Sequence, residues 1–150
     1  MILKFCFGGT FLFSPLTMSN TRHTLGAAER MKSRNATIRV FSQGKRISHP
    51  PLQLVFLASA QADDQPLQAG FSVSSRHFKK ATQRNRIKRL MREAYRTQKH
   101  DLRQILSERG HQLHLFFIYI GRELPVYAEL HEHMRGALSR LQKYDQHVRL

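Results

Sequence analysis

Acid is what this chain lacks most. Ten Asp and Glu stand against 25 Lys and Arg in 150 residues, a formal net charge of +15. So few and scattered carboxylates argue against a protein nuclease that gathers metal ions on converging acids. A single cysteine, Cys6, excludes an intramolecular disulfide and any C-x-x-C metal motif, and agrees with a reducing, cytoplasmic setting. There is no tryptophan and no long amphipathic Trp/Leu segment, so a membrane surface is a poorer partner than nucleic acid. No G-x-x-x-x-G-K-[ST] or G-x-G-x-x-G phosphate loop, internal repeat or low-complexity tract is present. The apolar stretch at 1–17 is too short, and too broken by Gly and Pro, to span a bilayer.

What is there is concentrated between Ala69 and Arg96. No acid occurs from Gln65 until Glu93, while Arg76, Lys79, Lys80, Arg84, Arg86, Lys88, Arg89 and Arg92 bring eight cations. A run this dense repels itself and calls for a polyanion. Placed on a helix, Ile87, Leu90, Met91, Ala94 and Tyr95 gather on one side and Arg84, Lys88, Arg89, Arg92 and Arg96 fill most of the other. An inert solvated helix face normally mixes signs and gains i,i+4 pairs. This one has only Glu93. Arg forks onto phosphate oxygens and Asn85 can hydrogen-bond sugar or base edges, which favours RNA.

The spacing Arg84-Asn85-Arg86, Lys88-Arg89, Arg92-Glu93, Tyr95-Arg96, preceded by Phe71-Ser72-Val73, resembles the signature of the protein subunit of bacterial ribonuclease P. Met31-Lys32-Ser33-Arg34 leading to Val40-Phe41 and Gly44-Lys45 is similar to that family's first helix and following turn. Phe117 to Pro125 with Tyr127-Ala128-Glu129 resembles its last strand and helix, so the likeness covers roughly Leu25 to Gln142. The resemblance implies a ribozyme subunit acting in removal of the 5′ leader from precursor tRNA. The catalytic RNA and precursor tRNA are the partners, no further protein or membrane is required, and Mg²⁺ is used by the RNA with no cofactor bound by the protein. It implies RNA contacts by Arg84, Asn85, Arg86, Lys88, Arg89 and Arg92, with Arg76, Lys79 and Lys80 beside them. It implies a leader-binding face of Phe41, Phe56, Ser72, Ser74, Lys88 and Arg92, although a core position for Phe56 is the better reading of that residue. Two departures stand out: the family often carries an aromatic where this chain has Thr37, and two lysines where it has Ser75-Arg76.

The length fits one small domain. Periodicity predicts a helix from Leu25 to Phe41, capped by Thr24 and stopped at Gly44, with Ala27, Ala28, Met31, Ile38 and Phe41 inward. A short strand is expected near Lys45 to Ser48, and strands over Leu52 to Ala58 and Ala69 to Ser74 are expected to form an antiparallel hairpin. The basic helix, Arg84 to Lys99, precedes a helical stretch from Leu102 to Arg109 that Gly110 breaks. Leu113 to Ile120 reads as a central strand. Val126 to Gln142 reads as a closing helix with Tyr127, Leu130, Met134, Leu138 and Leu141 inward. The class is α+β, in the order α-β-β-β-α-β-α, with one sheet of about four strands. The strand–helix–strand crossover would by base rate be right-handed, whereas the resemblance implies a left-handed one. Residues 1–17 are expected to be a start-site artefact or disordered, with Met18 the natural initiator and 18–150 the RNA-binding domain.

Independent chemistry by the chain is not expected. Asp63 and Asp64 are neighbours in a loop, and Glu123 belongs to a turn. Among nine histidines, His131 and His133 with Glu129 and Glu132 form the best cluster. On a helix, i and i+2 point about 200° apart and cannot share a metal. No catalytic or metal-binding residue is assigned. The alternative is a structural, ribosomal-type RNA-binding protein with the same basic helix and no substrate role.

Overall fold

The computed structural model describes residues 25–59 and 65–147, with side chains to residue 144. The expected 1–17 extension, the start at Met18 and the loop acids Asp63 and Asp64 lie outside the described residues. The elements follow in the expected order: α1 (Arg34–Gln43), β1 (Lys45–His49), β2 (Leu52–Ser59), β3 (Leu67–Val73), α2 (Ala81–Arg109), β4 (Gln112–Tyr119) and α3 (Tyr127–His147). They make an α+β domain around one four-stranded sheet.

The strand order is β1-β2-β4-β3. β1 pairs antiparallel with β2 through a turn at Pro50-Pro51, whose peptide bond is cis. The expected β2–β3 hairpin does not form. β4 enters between them, antiparallel to β2 (Leu54 opposite Phe117) and parallel to β3 (Gly70 opposite Phe116). The reason lies in β4 itself. Leu113, Leu115, Phe117 and Tyr119 face one side and Phe116 and Ile118 the other, so its apolar groups are covered on both sides only in the middle of the sheet.

α2 and α3 cover one face. Leu52, Leu54 and Phe56 of β2, the odd-numbered residues of β4, and Leu67, Ala69 and Val73 of β3 meet Ile87, Met91, Ala94, Tyr95, Leu102 and Leu106 of α2. Leu130, Met134, Leu138 and Leu141 of α3 close the same core. Each such large apolar side chain contributes about 1.5–3 kcal/mol on burial. Tyr127, expected to join this stripe, is exposed at the first residue of α3. α2 runs unbroken for 29 residues, not as two segments, because Lys99, Leu102 and Leu106 continue its inward face. It ends at Gly110, which takes the left-handed conformation (φ 66°) that ordinary side chains resist.

The first helix is shorter than its periodicity suggests. Ser33 caps α1, its Oγ accepting from the backbone N–H of Ala36. Residues 25–33 instead dock beside β3: Ala69 N donates to Glu29 O, and Met31 N donates to Ala69 O. The Glu29 carboxylate explains the docking. It accepts from Gly26 N (3.0 Å), from Lys99 Nζ and from Arg103 Nη1 (2.7 Å). A helix through this stretch would forfeit that pairing. Ala27 and Ala28 are consequently exposed, Ile38 is 64% exposed, and Val40 is the fully buried residue of α1.

Candidate nucleic-acid interface

The basic crossover is a built turn. Phe78 inserts into the core beside Tyr119, anchoring the loop between β3 and α2. Arg84 Nη1 donates to Phe78 O (2.8 Å) and Lys79 O (2.6 Å), tying the first turn of α2 back onto that loop. With Phe78 inside, Arg76, Lys79 and Lys80 are exposed. Lys80 occupies the N-cap without a side-chain hydrogen bond, and no acid sits in the first turn. The positive end of the helix dipole therefore has no acid in its own first turn to offset it and adds to the cations around it.

Along α2, Asn85, Arg89 and Arg92 form the crest of the outward face. Arg86 flanks it on one side and the half-buried Lys88 on the other. None of these side chains pairs with a carboxylate among the described residues. The ridge stops where acid reappears: Glu93 binds Arg96, whose hydrogen bond holds the Glu93 carboxyl below the usual carboxylate range. Expected RNA-contacting residues thus share one continuous surface, except that the Arg84 guanidinium is engaged with the loop.

Among the described residues the sheet's other face carries only α1, which leaves much of it uncovered by them. Phe41 meets the ring of Phe116 edge-on at 4.8 Å. Gly70 makes this possible, because a Cβ there would stand 2.5 Å from the Phe116 ring. The ring occupies the space a side chain at Gly70 would fill and remains half-exposed. Ser72, opposite Ile118, continues the same face two residues along β3. Ser74 lies just beyond, its N–H bonded to Tyr119 O. Phe56 does not belong here. It is 2% exposed on the opposite face, with its ring 5.3 Å from that of Tyr144. Its register with Leu115 dictates this, since every residue of that parity points beneath α2 and α3. Phe116 and Gly70 are the contributors that sequence reasoning missed; alternation in β4 places Phe116 opposite in direction to the buried Phe117 and was the available signal.

The histidines diverge. His131 sits by Tyr127 and by Thr97 Oγ1 (3.3 Å), while the His133 ring lies 5.7 Å from that of His49. Among the described residues no group of three His, Cys, Asp or Glu is placed to hold a metal ion. No helix there is long and apolar enough to cross a membrane.

Comparison with known proteins bears on this geometry. The family model described as Ribonuclease P matches residues 25–142. The ribonuclease P protein component of Porphyromonas gingivalis is 33% identical over 117 residues, which cover 78% of this chain and 85% of that one. The corresponding protein of Chlorobaculum tepidum is 38% identical over 107 residues, 67% of this chain and 70% of the relative. The solved structure of the Staphylococcus aureus RNase P protein superposes with a TM-score of 0.62 at 18% identity, over 75% of this chain and 94% of that one, and shares the fold.

Proposed function

This chain belongs to the ribonuclease P protein component family, and from that premise we propose that it binds the enzyme's RNA through α2 and the precursor's unpaired 5′ leader on the open face of the sheet. The observation that carries this reading is the cationic ridge of Arg86, Arg89 and Arg92, unpaired among the described residues and one sheet edge away from the Phe41–Phe116 platform. β3 is the outer strand between them, so RNA held on α2 lies close to the strand edge that bears Ser72.

The two surfaces suit two kinds of RNA contact. Arginines forking onto phosphates, together with the open N-terminus of α2, hold a backbone without reading its sequence. Aromatic rings on a half-open sheet stack on unpaired bases of any identity. Arg84 acts through the loop: by gathering the carbonyls of Phe78 and Lys79 it keeps Lys79 and Lys80 turned outward. Phe116 supplies a second aromatic beside Phe41 where Thr37 supplies none, its hydroxyl donating instead to Ser33 O. Hydrolysis is assigned to the RNA with its Mg²⁺. The protein's cations screen repulsion between RNA and substrate, lowering the Mg²⁺ demand. A leader contact favours precursor over product, because only the precursor has a leader.

The test is single-turnover cleavage of a precursor tRNA by the cognate ribonuclease P RNA at low Mg²⁺, with and without the protein. Stimulation by wild type that Arg86→Ala/Arg89→Ala loses is expected. Equal rates with and without wild-type protein, while RNA binding persists, would move the reading to a structural RNA-binding protein.

A further inference from the structure

α1 divides the open face, and the flank away from Phe41 holds a second groove. Arg39 and Phe41 are two residues apart on the helix and so project about 200° from each other. The cavity on the Arg39 side has a volume of about 280 Å³ and is bounded by Asn35 and Arg39 of α1, Leu57 of β2, Gln68 of β3, and Gln112 and His114 of β4. That is near the ~300 Å³ lower end of small-ligand sites. Among the described residues no carboxylate lines it. The side chains of Asn35, Arg39 and Gln68 make no hydrogen bond or ion pair among the described residues. Two amides and a guanidinium without partners therefore converge on a recess with an apolar wall.

We propose that this groove holds one unpaired ribonucleotide of an RNA strand. An amide offers a donor and an acceptor side by side, the pattern of a base edge, and Gln68 and Asn35 supply two. Leu57 offers the base an apolar surface, and Arg39 meets the flanking phosphate with a forked pair of donors. One guanidinium matches the single charge of a phosphodiester; the larger charge of a free nucleoside triphosphate would need further cations. The strand has two possible sources, the precursor's leader continuing past α1 or a single-stranded segment of the catalytic RNA. Only this choice of source rests on the function proposed above.

A titration of the full protein with a short unstructured oligoribonucleotide, followed by NMR of the Asn35 and Gln68 side-chain amides, tests the groove without the holoenzyme. Both amides are expected to shift, and Arg39→Gln/Gln68→Ala is expected to weaken the affinity about tenfold, the loss of roughly one or two hydrogen bonds. The holoenzyme identifies the source. A loss confined to precursors with long leaders assigns the groove to the leader, and an equal loss in affinity for the catalytic RNA, whatever the leader, assigns it to that RNA. Unmoved amides and unchanged affinities in a double variant that unfolds at the wild-type temperature would overturn the proposal. Phe41→Ala runs alongside: if it weakens leader binding while the double variant does not, the groove fails and the function stands. If the wild-type protein does not stimulate cleavage, that function fails, and the groove is judged by the amide titration alone.

Discussion

Lys88 and Lys99 stand on one helix, eleven positions and about 16 Å apart, and at 100° per residue they project within about 20° of each other. Lys99 is 1% exposed, held by Glu29 beneath the docked 25–33 segment, whereas Lys88 is half-exposed with no acid paired to it among the described residues. The same contrast runs through the neighbours. Arg103 shares Glu29, while Arg86, Arg89 and Arg92 have no carboxylate among the described residues. Cations of the two halves differ in what the rest of the chain brings to them. With acid so scarce, the Glu29 carboxylate brought to Lys99 and Arg103 from outside the helix makes that end structural, and the other end stays available to an external anion.

The sharpest way to break this contrast is to remove the acid. Glu29→Ala removes the carboxylate that holds the buried Lys99 ammonium and is expected to cost about 3–5 kcal/mol of folding stability, read from denaturant unfolding. Glu29→Leu/Lys99→Met is expected to recover most of that loss, because a packed apolar pair avoids the stranded charge. At the other end, Arg86→Ala/Arg89→Ala is expected to leave unfolding within about 0.5 kcal/mol of wild type. Its affinity for the catalytic RNA should fall by about 1.5–3 kcal/mol per lost charge-assisted contact. The salt dependence should flatten by a slope of about 0.9 for each phosphate released. A stability loss there with RNA affinity intact would erase the distinction between the halves.

Phe41→Ala is expected to cost about 1–3 kcal/mol in affinity for precursor over mature tRNA, measured by competition, through one lost base stack. The smallest effect concerns His49. Burial, then the charges of Arg140 and His133, hold its imidazole below the ordinary value. The unfolded chain therefore binds its proton first. Stability contributed at neutral pH is lost as pH falls below about 6.5, until the folded protein also takes up the proton. His49→Gln should flatten that part of the pH–stability curve, and an unchanged curve would exclude His49 as its source.

Much of this was legible in the residues. The apolar stripes of α2 and α3 and the central position of β4 follow from periodicity, and the cationic ridge follows from the lack of acid between Gln65 and Glu93. What escaped depends on partners distant in sequence. Leu25 to Ser33 has helical periodicity, but the pull of Lys99 and Arg103 on Glu29 lies some 70 residues away and overrides it. The β2–β3 hairpin is the natural guess for adjacent strands; only the two-sided apolar character of β4 argues for insertion. Phe56, better read as core from the start, and Phe116, which was not singled out, are assigned to opposite faces by the register.

The place of β4 has a consequence for how the molecule comes into being. Of the sheet's two inner strands, β4 is the last strand in the chain, so during synthesis β3 waits, with no other ladder partner among the described residues than the bridge at Ala69, until Gln112–Tyr119 has left the ribosome. The decisive pairings span 46 residues, Leu67 to Leu113, and 63 residues, Leu54 to Phe117. Closures of that length are slow and reward the chain only when complete. The cationic helix is therefore translated before the floor that orients it exists, and the ridge on α2 and the open sheet face both wait for β4 to be in place.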